Sequence, residues 1–300
     1  MNRITTAQNE PIQLERLAAQ RELYTSAKLY HIWQIFFMVV IPLMLSLLLL
    51  LHEPLIPFAA FYGIISAILD PLLFDAVIQR RIEKAAKIQE LFDCAVLRLS
   101  PSPLKTSNDQ MVEDVLTHYN AHKKIQSNIE KIKDWYPQAI EVLPYPIARL
   151  ICQRTNCYWD SRLRRRYSNF VSLLGIGLFI AFMLFGITTN KNFNDLVLIA
   201  SALLPLVQFC LKQSKDQKET AKRLDRLVDF AKQAWDEGMS NTSSNLEEVS
   251  RRLQDEIYDH RSKSALILNF MYRRFLKKDE EIMNSTAEAL VRDAKEHGLI

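Results

Sequence analysis

Four long runs of apolar residues interrupt an otherwise mixed, polar chain. The first, Ile32–Leu51, carries no charge over twenty residues, and a helix needs about 20 apolar residues to cross a bilayer. The others are Leu55–Ile78, Phe170–Ile187 and the shorter Leu196–Leu211. Trp33 stands at the start of the first run, at the depth where aromatic side chains gather in membrane proteins. The pattern predicts four transmembrane helices rather than core helices, which usually keep a polar face.

Positive charges indicate which side of the membrane each segment occupies. They are dense after the second run, before the third and after the fourth, and scarce in the turns around His52 and Lys191. Because positive residues remain on the cytosolic side, we expect two helical hairpins with both termini cytosolic. The expected fold class is mainly α, with four transmembrane helices as two hairpins and a composite, mostly helical cytosolic domain. The expected segments are 1–31 (cytosolic arm), 32–78 (hairpin 1), 79–169 (first cytosolic part), 170–211 (hairpin 2) and 212–300 (second cytosolic part).

Small residues inside the apolar runs are candidates for helix packing or gating. They recur at four-residue spacing as Ala59, Gly63 and Ala67 in the second run, and as Gly177 with Ala181 in the third. Small side chains on one face let two membrane helices approach closely. Asp70 lies in the second run, and an intramembrane carboxylate is a candidate functional group. An aspartate followed by proline can also cap a helix that restarts there, and both interpretations stay open.

Composition argues against several classes of function. The chain has 300 residues, six glycines and a net charge of +4, which is too small an excess to indicate binding to polymeric nucleic acid. There is no phosphate-binding glycine-rich loop and no nucleophile elbow, so we expect neither an enzyme nor a cofactor. His118 with His122, and Cys152 with Cys157, have spacings near those of metal ligands. Neither pair has an evident set of further ligands, so we expect no metal.

The segment ICQRTNCYWDSRLRRRY places arginines and a tryptophan directly before the third apolar run. On a helix, Trp159, Arg162 and Arg166 share a face, while Asp160 and Arg164 can form an ion pair. Guanidinium groups bind phosphates and tryptophan stacks on bases, so the segment suits a nucleotide. The same arginines could instead fix the membrane orientation and contact anionic lipid headgroups.

A second polar face occurs in the C-terminal segment LEEVSRRLQDEIYDHR. Its large hydrogen-bonding side chains are separate from the apolar stripe of the same predicted helix: Arg251, Gln254, Asp255, Tyr258 and Arg261. These side chains either face solvent or line a pocket together with Asp134–Tyr136.

Five motifs occur in an order that resembles the SMODS-associating four-transmembrane effector family: LAAQRELYTSAK, IQELFDCAVLRL, KDWYP, ICQRTNCYWDSRLRRRY and RRLQDEIYDHR. The resemblance covers nearly the whole chain, and CQRTNCYWD is its most specific element. It implies an effector of bacterial cyclic-oligonucleotide antiphage signalling (CBASS). In such a system a nucleotidyltransferase makes a cyclic oligonucleotide, and the effector binds it and compromises the inner membrane, so that the infected cell stops growing or dies.

The resulting hypothesis is a multi-pass homo-oligomer of the bacterial inner membrane that is functionally linked to a nucleotidyltransferase. A cyclic di- or trinucleotide second messenger is the expected activating ligand. Its expected contacts are arginines for phosphate and aromatic side chains for stacking: Arg154, Arg162, Arg164 and Arg261, with Trp159 and Tyr258. Two alternatives are an ion channel or transporter gated by another signal, in which Asp70 is a pore or coupling residue, and a membrane-anchored scaffold for a protein partner.

Overall fold

The computed structural model describes residues 2–49, 56–100, 111–123, 127–189, 192–240 and 245–300. Within these ranges all regular secondary structure is helical, which confirms the mainly α class. The α-helices are α1 (Ile4–Ala7), α2 (Pro11–Ile35), α3 (Ile41–Leu49), α4 (Ile56–Leu69), α5 (Ala76–Val96), α6 (Met111–Lys123), α7 (Ser127–Glu130), α8 (Tyr145–Thr188), α9 (Phe193–Ser240), α10 (Leu246–Lys263) and α11 (Asn269–Glu296). A 3₁₀-helix, Gln138–Val142, precedes α8.

Two long helices connect the polar and apolar parts of the chain. α8 has 44 residues and α9 has 48. At about 1.5 Å per residue, each is roughly twice as long as the hydrocarbon core of a bilayer is thick. They pack antiparallel, as hydrogen bonds from Ser168 to Ser214 and from Arg164 to Gln217 show. Each helix is therefore long enough to run from the apolar part of the molecule into the polar part.

Among the residues that the structure describes, two helical segments are long and apolar enough to cross a membrane, Pro11–Leu45 and Tyr145–Thr188. Only 11% and 17% of their most apolar windows are buried, whereas the core helix of a soluble protein would be mostly buried. Large apolar side chains are open on α8, with Leu173 73% and Phe185 63% exposed. The four-span, two-hairpin arrangement and its orientation stay predictions, since the centres of both turns lie outside the described residues.

Each helical segment of the predicted hairpin 1 contains a π-helical turn beside a proline. One turn, Phe36–Val40, precedes Pro42, and the other, Asp70–Asp75, has proline at its second position. Proline has no N–H and its ring crowds the preceding turn, so a locally wider helix accommodates it. The Tyr62 hydroxyl donates a 2.6 Å hydrogen bond to the Phe37 carbonyl. This bond joins the two segments and satisfies a backbone group in an apolar region.

The polar part of the molecule has a core drawn from separate parts of the chain. Its largest apolar cluster includes Leu17 of α2, Phe92 of α5, Ile147 of α8 and Val291 of α11. A second cluster joins α8, α9 and α10. The N-terminal arm, the middle segment and the C-terminal segment thus share one core. The five segment boundaries stay a prediction.

Candidate functional site

Four of the sequence motifs meet in one buried polar network. Its centre is Asp93 of α5, which is completely buried. Tyr136 donates a 2.6 Å hydrogen bond to one carboxylate oxygen, and Arg261 and Gln254 donate to the other at 2.5 and 3.0 Å. Asn156 of α8 donates to the Tyr136 hydroxyl at 3.4 Å. The network therefore connects α5, α8 and α10 with the segment before the 3₁₀-helix.

Glu90, one turn earlier on α5, is also completely buried. It accepts hydrogen bonds of 2.7 Å from Arg251 and from Gln254, and one of 3.3 Å from the Cys94 thiol. Arg251 also donates to the Ser100 carbonyl at 2.8 Å. Because Gln254 contacts both Glu90 and Asp93, the two carboxylates belong to one network between α5 and α10.

The charges of this network depend on one another. Burial lowers the pKa of Arg261, but Asp93 and the Tyr136 hydroxyl outweigh burial and raise it above its ordinary value. Burial likewise lowers the pKa of Arg251, and its hydrogen bonds to Glu90 and to the Cys94 thiol raise it overall. Removing one member of such a pair leaves the other charged in the interior, which is strongly unfavourable.

A second polar cluster lies further along α8, around Asp160. Arg164 Nε lies 3.0 Å from one carboxylate oxygen and His260 Nε2 lies 2.6 Å from the other. Burial raises the pKa of Asp160, but Arg164 and His260 outweigh burial and hold it below its usual range. Arg164 also donates to the side chain of Gln217 at 2.7 Å and to the Ala265 carbonyl at 2.8 Å. The predicted pair of Asp160 with Arg164 is confirmed, and it links α8 to α9 and α10.

Three of the predicted ligand contacts, Arg154, Trp159 and Arg162, lie on the side of α8 that faces α11. Arg154 and Trp159 line a depression of about 10 Å³ with Ile282, Met283 and Thr286 of α11. A space of this size holds about one water molecule, so a nucleotide would have to separate the two helices or bind across the surface. Burial lowers the pKa of Arg154, and no ion pair joins it to a carboxylate in the described ranges. Arg162 donates to the Tyr158 hydroxyl at 3.2 Å.

The other three predicted contacts lie inside the polar part of the molecule. Arg164 and Arg261 are engaged in the ion pairs described above, and Tyr258 is 9% exposed on the α10 face toward α5. Burial, with the nearby charge of Glu90, raises the pKa of Tyr258. The six residues therefore do not line one open pocket, and their role in ligand binding stays a prediction.

The site predicted from the sequence does not include Glu90 and Asp93. Both lie in the motif IQELFDCAVLRL, which supports the family resemblance as a whole, but neither is among the predicted ligand contacts. A usable signal was present, because two acidic residues three positions apart share a helix face. Flanking apolar residues such as Phe92 and Val96 are buried, which places the acidic pair in the core as well. Buried carboxylates require partners.

The polar network reaches solvent at Arg251. A groove of about 380 Å³ opens there between the segment after α5 and the start of α10; it is lined by Leu99, Ser100, Asn245, Glu247, Glu248 and Arg251. The volume suits a small ligand. The two glutamates give the groove an acidic wall, which disfavours a phosphate unless other groups move.

The arginines nearest the third apolar run join helices to one another. Arg165 pairs with Asp225 of α9. Arg166 donates two 2.8 Å hydrogen bonds to Asp279 of α11, and its guanidinium lies 4.2 Å from the centre of the Phe275 ring. These contacts fix α9 and α11 against α8.

Asp70 is part of a polar contact at the π-helical turn of hairpin 1. The helix continues through this turn, and the Gln34 side chain donates 2.7 Å hydrogen bonds to both Asp70 and Asp75. Gln34 in turn contacts His31 at 2.9 Å. The structure therefore favours a link between the two segments of the hairpin over a restarting helix with Asp70 as its cap.

The small-residue candidates differ in how they are placed. Ala59, Gly63 and Ala67 lie on α4, but their side-chain surroundings fall outside the described set. A Cβ added at Gly177 would meet nothing within 4 Å. A Cβ added at Gly175 would lie 2.6 Å from Cβ of Cys210 on α9. Gly175 is therefore the glycine that allows α8 and α9 to approach closely.

The candidate metal ligands do not assemble into a site. Among the described residues, no group of three or more His, Cys, Asp or Glu side chains is placed to hold a metal ion. His122 lies 3.7 Å from the carboxylate of Glu22. Cys152 and Cys157 are buried free thiols, and burial raises the pKa of both, which disfavours the thiolate that a metal would need.

Comparison with known proteins agrees with the motif order. The family model described as the SMODS-associating 4TM effector domain matches residues 2–290. A probable CBASS effector molecule of Bacillus cereus (strain VD146) is 25% identical over 287 residues, covering 92% of this chain and 94% of that protein. No solved structure matches the chain.

Proposed function

The chain belongs to the SMODS-associating 4TM effector domain family, and we propose on that premise how it acts as a CBASS effector in antiphage defence. The cytosolic helices bind a cyclic oligonucleotide that a nucleotidyltransferase makes. Binding changes the packing of the helices that enter the inner membrane. The membrane then becomes permeable, and the infected cell stops growing or dies.

The observation that carries this proposal is the set of arginine–carboxylate pairs at the junction of α5, α8 and α10. Arg261 is held by Asp93, Arg251 by Glu90, and Arg164 by Asp160. A phosphodiester can take the place of a carboxylate on a guanidinium group, because both accept two parallel N–H bonds. Such an exchange would leave a buried carboxylate without its partner, and the helices would have to rearrange to satisfy it.

We assign first contact with the ligand to the outer side of α8, which is the side with Arg154 and Trp159 that faces α11. Arg154 has no carboxylate partner in the described ranges, and Trp159 beside it offers a surface for base stacking. Separation of α11 from α8 would enlarge this site and expose Arg162. The ligand can drive the change only by binding the rearranged state more tightly than the resting state.

Helix α8 is the proposed route from the ligand to the membrane. It is continuous from Tyr145 through the arginine-rich segment to Thr188. Arg164 also contacts α9 through Gln217, so both helices of hairpin 2 respond to the same ion pairs. Altered packing of these helices and of the small-residue face on α4 within a homo-oligomer would then open a leak.

Dye release from liposomes that contain the purified full-length protein tests the proposal. We expect release with one member of a panel of cyclic di- and trinucleotides. Replacing Arg154 with Ala should raise the nucleotide concentration needed for half-maximal release about tenfold or more, because a hydrogen bond to a charged group contributes about 1.5–3 kcal/mol. Arg252→Ala is the matched control, since this arginine is exposed and pairs only with Glu248 of its own helix among the described residues.

Three results would count against the proposal, provided that insertion into the liposomes is verified. Silence across the panel would favour the scaffold alternative. Release without any nucleotide would favour a channel gated by another signal, and loss of that release in Asp70→Asn would implicate the contact with Gln34. An equal shift in the Arg154 and Arg252 variants would show that the outer side of α8 is not the site of first contact.

A further inference from the structure

The first turns of α11 lie against the helices of the predicted second hairpin. Phe270 forms an edge contact with Phe170, with ring centres 5.3 Å apart. Met271 is buried in a cluster with Val171 and Cys210. These partners lie where the apolar parts of α8 and α9 meet the polar parts. The start of α11 therefore lies at the level where those helices would enter the membrane.

The segment that leads into α11 is fixed by the buried polar cluster. Arg164 donates to the Ala265 carbonyl at 2.8 Å, and Gln217 donates to the Leu266 carbonyl at 3.0 Å. Leu266 itself is 7% exposed. The start of α11 is thus held in one position by hydrogen bonds as well as by apolar packing.

The outward face of the same helical turns is strongly basic. Its exposed cationic side chains are Arg273, Arg274, Lys277 and Lys278. Within the described ranges, none of them forms an ion pair with a carboxylate. Tyr272 lies on the other side of the helix, where its hydroxyl accepts a 3.3 Å hydrogen bond from Arg21 of α2. Phe270 lies on the basic face and is 48% exposed. Aromatic and basic residues in this combination are typical of the boundary between membrane and water.

Charge changes sign along α11 as the helix leads away from the apolar parts of α8 and α9. Glu280 and Glu281 follow the basic residues and are exposed, and Glu288 lies two turns further on. The helix dipole favours the opposite order, with acidic residues near the N-terminus. The arrangement is therefore not explained by the stability of α11 itself, and it matches a negative surface located at one end of the helix.

We propose that Phe270–Lys278 is a docking surface for the anionic phospholipid headgroups of the membrane that α8 and α9 enter. The basic side chains contact lipid phosphates, and Phe270 inserts at the level of the headgroups. This inference goes beyond nucleotide sensing and rests only on membrane insertion. Each basic residue near a membrane contributes about a fivefold preference for anionic over neutral lipid.

The test measures which lipids remain bound to the full-length protein. The protein is reconstituted in vesicles of equal phosphatidylcholine and phosphatidylglycerol, extracted into detergent and purified, and the bound phospholipids are quantified. We expect phosphatidylglycerol to be enriched about fivefold or more over phosphatidylcholine in the wild type. The variant with Arg273, Arg274, Lys277 and Lys278 all changed to Gln should retain the two lipids in nearly equal amounts.

A control variant removes the same charge elsewhere. Four exposed basic residues on α9 and at the far end of α11 are changed to Gln: Lys222, Arg226, Lys232 and Lys295. This variant should keep the enrichment of the wild type. Equal loss in both variants would show an effect of net charge alone and would overturn the proposal. A wild-type ratio near one would overturn it without any variant, so the test holds even if the first variant folds poorly.

Discussion

At the scale of single residues, His260 has surroundings that make its charge depend on folding. Its Nε2 contacts Asp160 at 2.6 Å, and Ser264 lies 3.1 Å from Nδ1. Burial lowers the pKa of His260 below 6.5; Asp160 acts to raise it, while the nearby charges of Arg164 and Arg261 add to the lowering. The unfolded chain therefore binds more protons than the folded protein just below pH 6.5.

Stability should consequently fall as pH drops below about 6.5, with a slope of up to about 1.4 kcal/mol per pH unit for one proton. In His260→Gln, which can still donate a hydrogen bond to Asp160, the slope of stability against pH between about pH 7.5 and 5.5 should be smaller, by at most about 1.4 kcal/mol per pH unit. Thermal unfolding of the purified protein over this range measures it. His297→Gln is the control, because this histidine is exposed. An unchanged slope in His260→Gln would mean that His260 does not titrate with folding.

Arg261 makes a second prediction at this scale. Its removal in Arg261→Ala leaves Asp93 charged and completely buried, and we expect a loss of about 3–5 kcal/mol of stability. Arg252→Ala, on the same helix but exposed, should cost less than about 1 kcal/mol. Thermal unfolding compares the two variants. Adding Asp93→Asn to Arg261→Ala should restore part of the loss, whereas no recovery would indicate that the cost comes from packing rather than from the unpaired charge.

At the scale of elements, the contact between α8 and α9 depends on one glycine. Gly175→Ala would place its Cβ 2.6 Å from Cβ of Cys210, and neither atom can rotate away. We expect a loss of about 1–3 kcal/mol from overpacking. Gly177→Ala, two residues further, meets open space and should be neutral or stabilise the helix by up to about 1 kcal/mol.

Thermal unfolding in detergent micelles measures both glycine variants. Cys210→Gly combined with Gly175→Ala should recover stability, because it removes the clashing atom. Cys210→Ala should not, because it keeps that atom. If Gly175→Ala is as stable as Gly177→Ala, the two helices are not in close contact at this level.

The two glycines also show how far sequence reasoning can go for an element. A run of apolar residues predicts a helix, and each of the four predicted runs is helical over its described residues. Both glycines lie in the same apolar run but on different sides of the helix. Without a polar face in the run, the sequence does not show which side contacts the neighbouring helix. The spacing in the sequence points to Gly177, whereas the packing of α9 makes Gly175 the close contact.

In the candidate site too, contacts between residues close in sequence can be predicted, and contacts between distant residues cannot. The pair of Asp160 and Arg164 is four residues apart on one helix, and its spacing predicted it. Asp93 and Arg261 are separated by 168 positions, and only the packing of α5 against α10 brings them together. The motif order identified the family. Only the three-dimensional structure shows that several of its arginines form buried ion pairs with distant carboxylates.

At the scale of the whole molecule, the proposed mechanism requires α8 to cross the membrane with its arginine-rich half in the cytosol. Thr189, after the apolar end of α8, should then face the periplasm, and Lys222 on α9 should be cytosolic. Single-cysteine substitutions at these exposed positions can be treated with a membrane-impermeant maleimide on spheroplasts. All four native cysteines are buried, so background labelling should be small.

We expect Thr189→Cys to react on intact spheroplasts and Lys222→Cys only after permeabilisation. The reverse pattern would invert the topology inferred from positive charge, and reaction of both only after permeabilisation would show that α8 does not cross, which would remove the route from ligand to membrane.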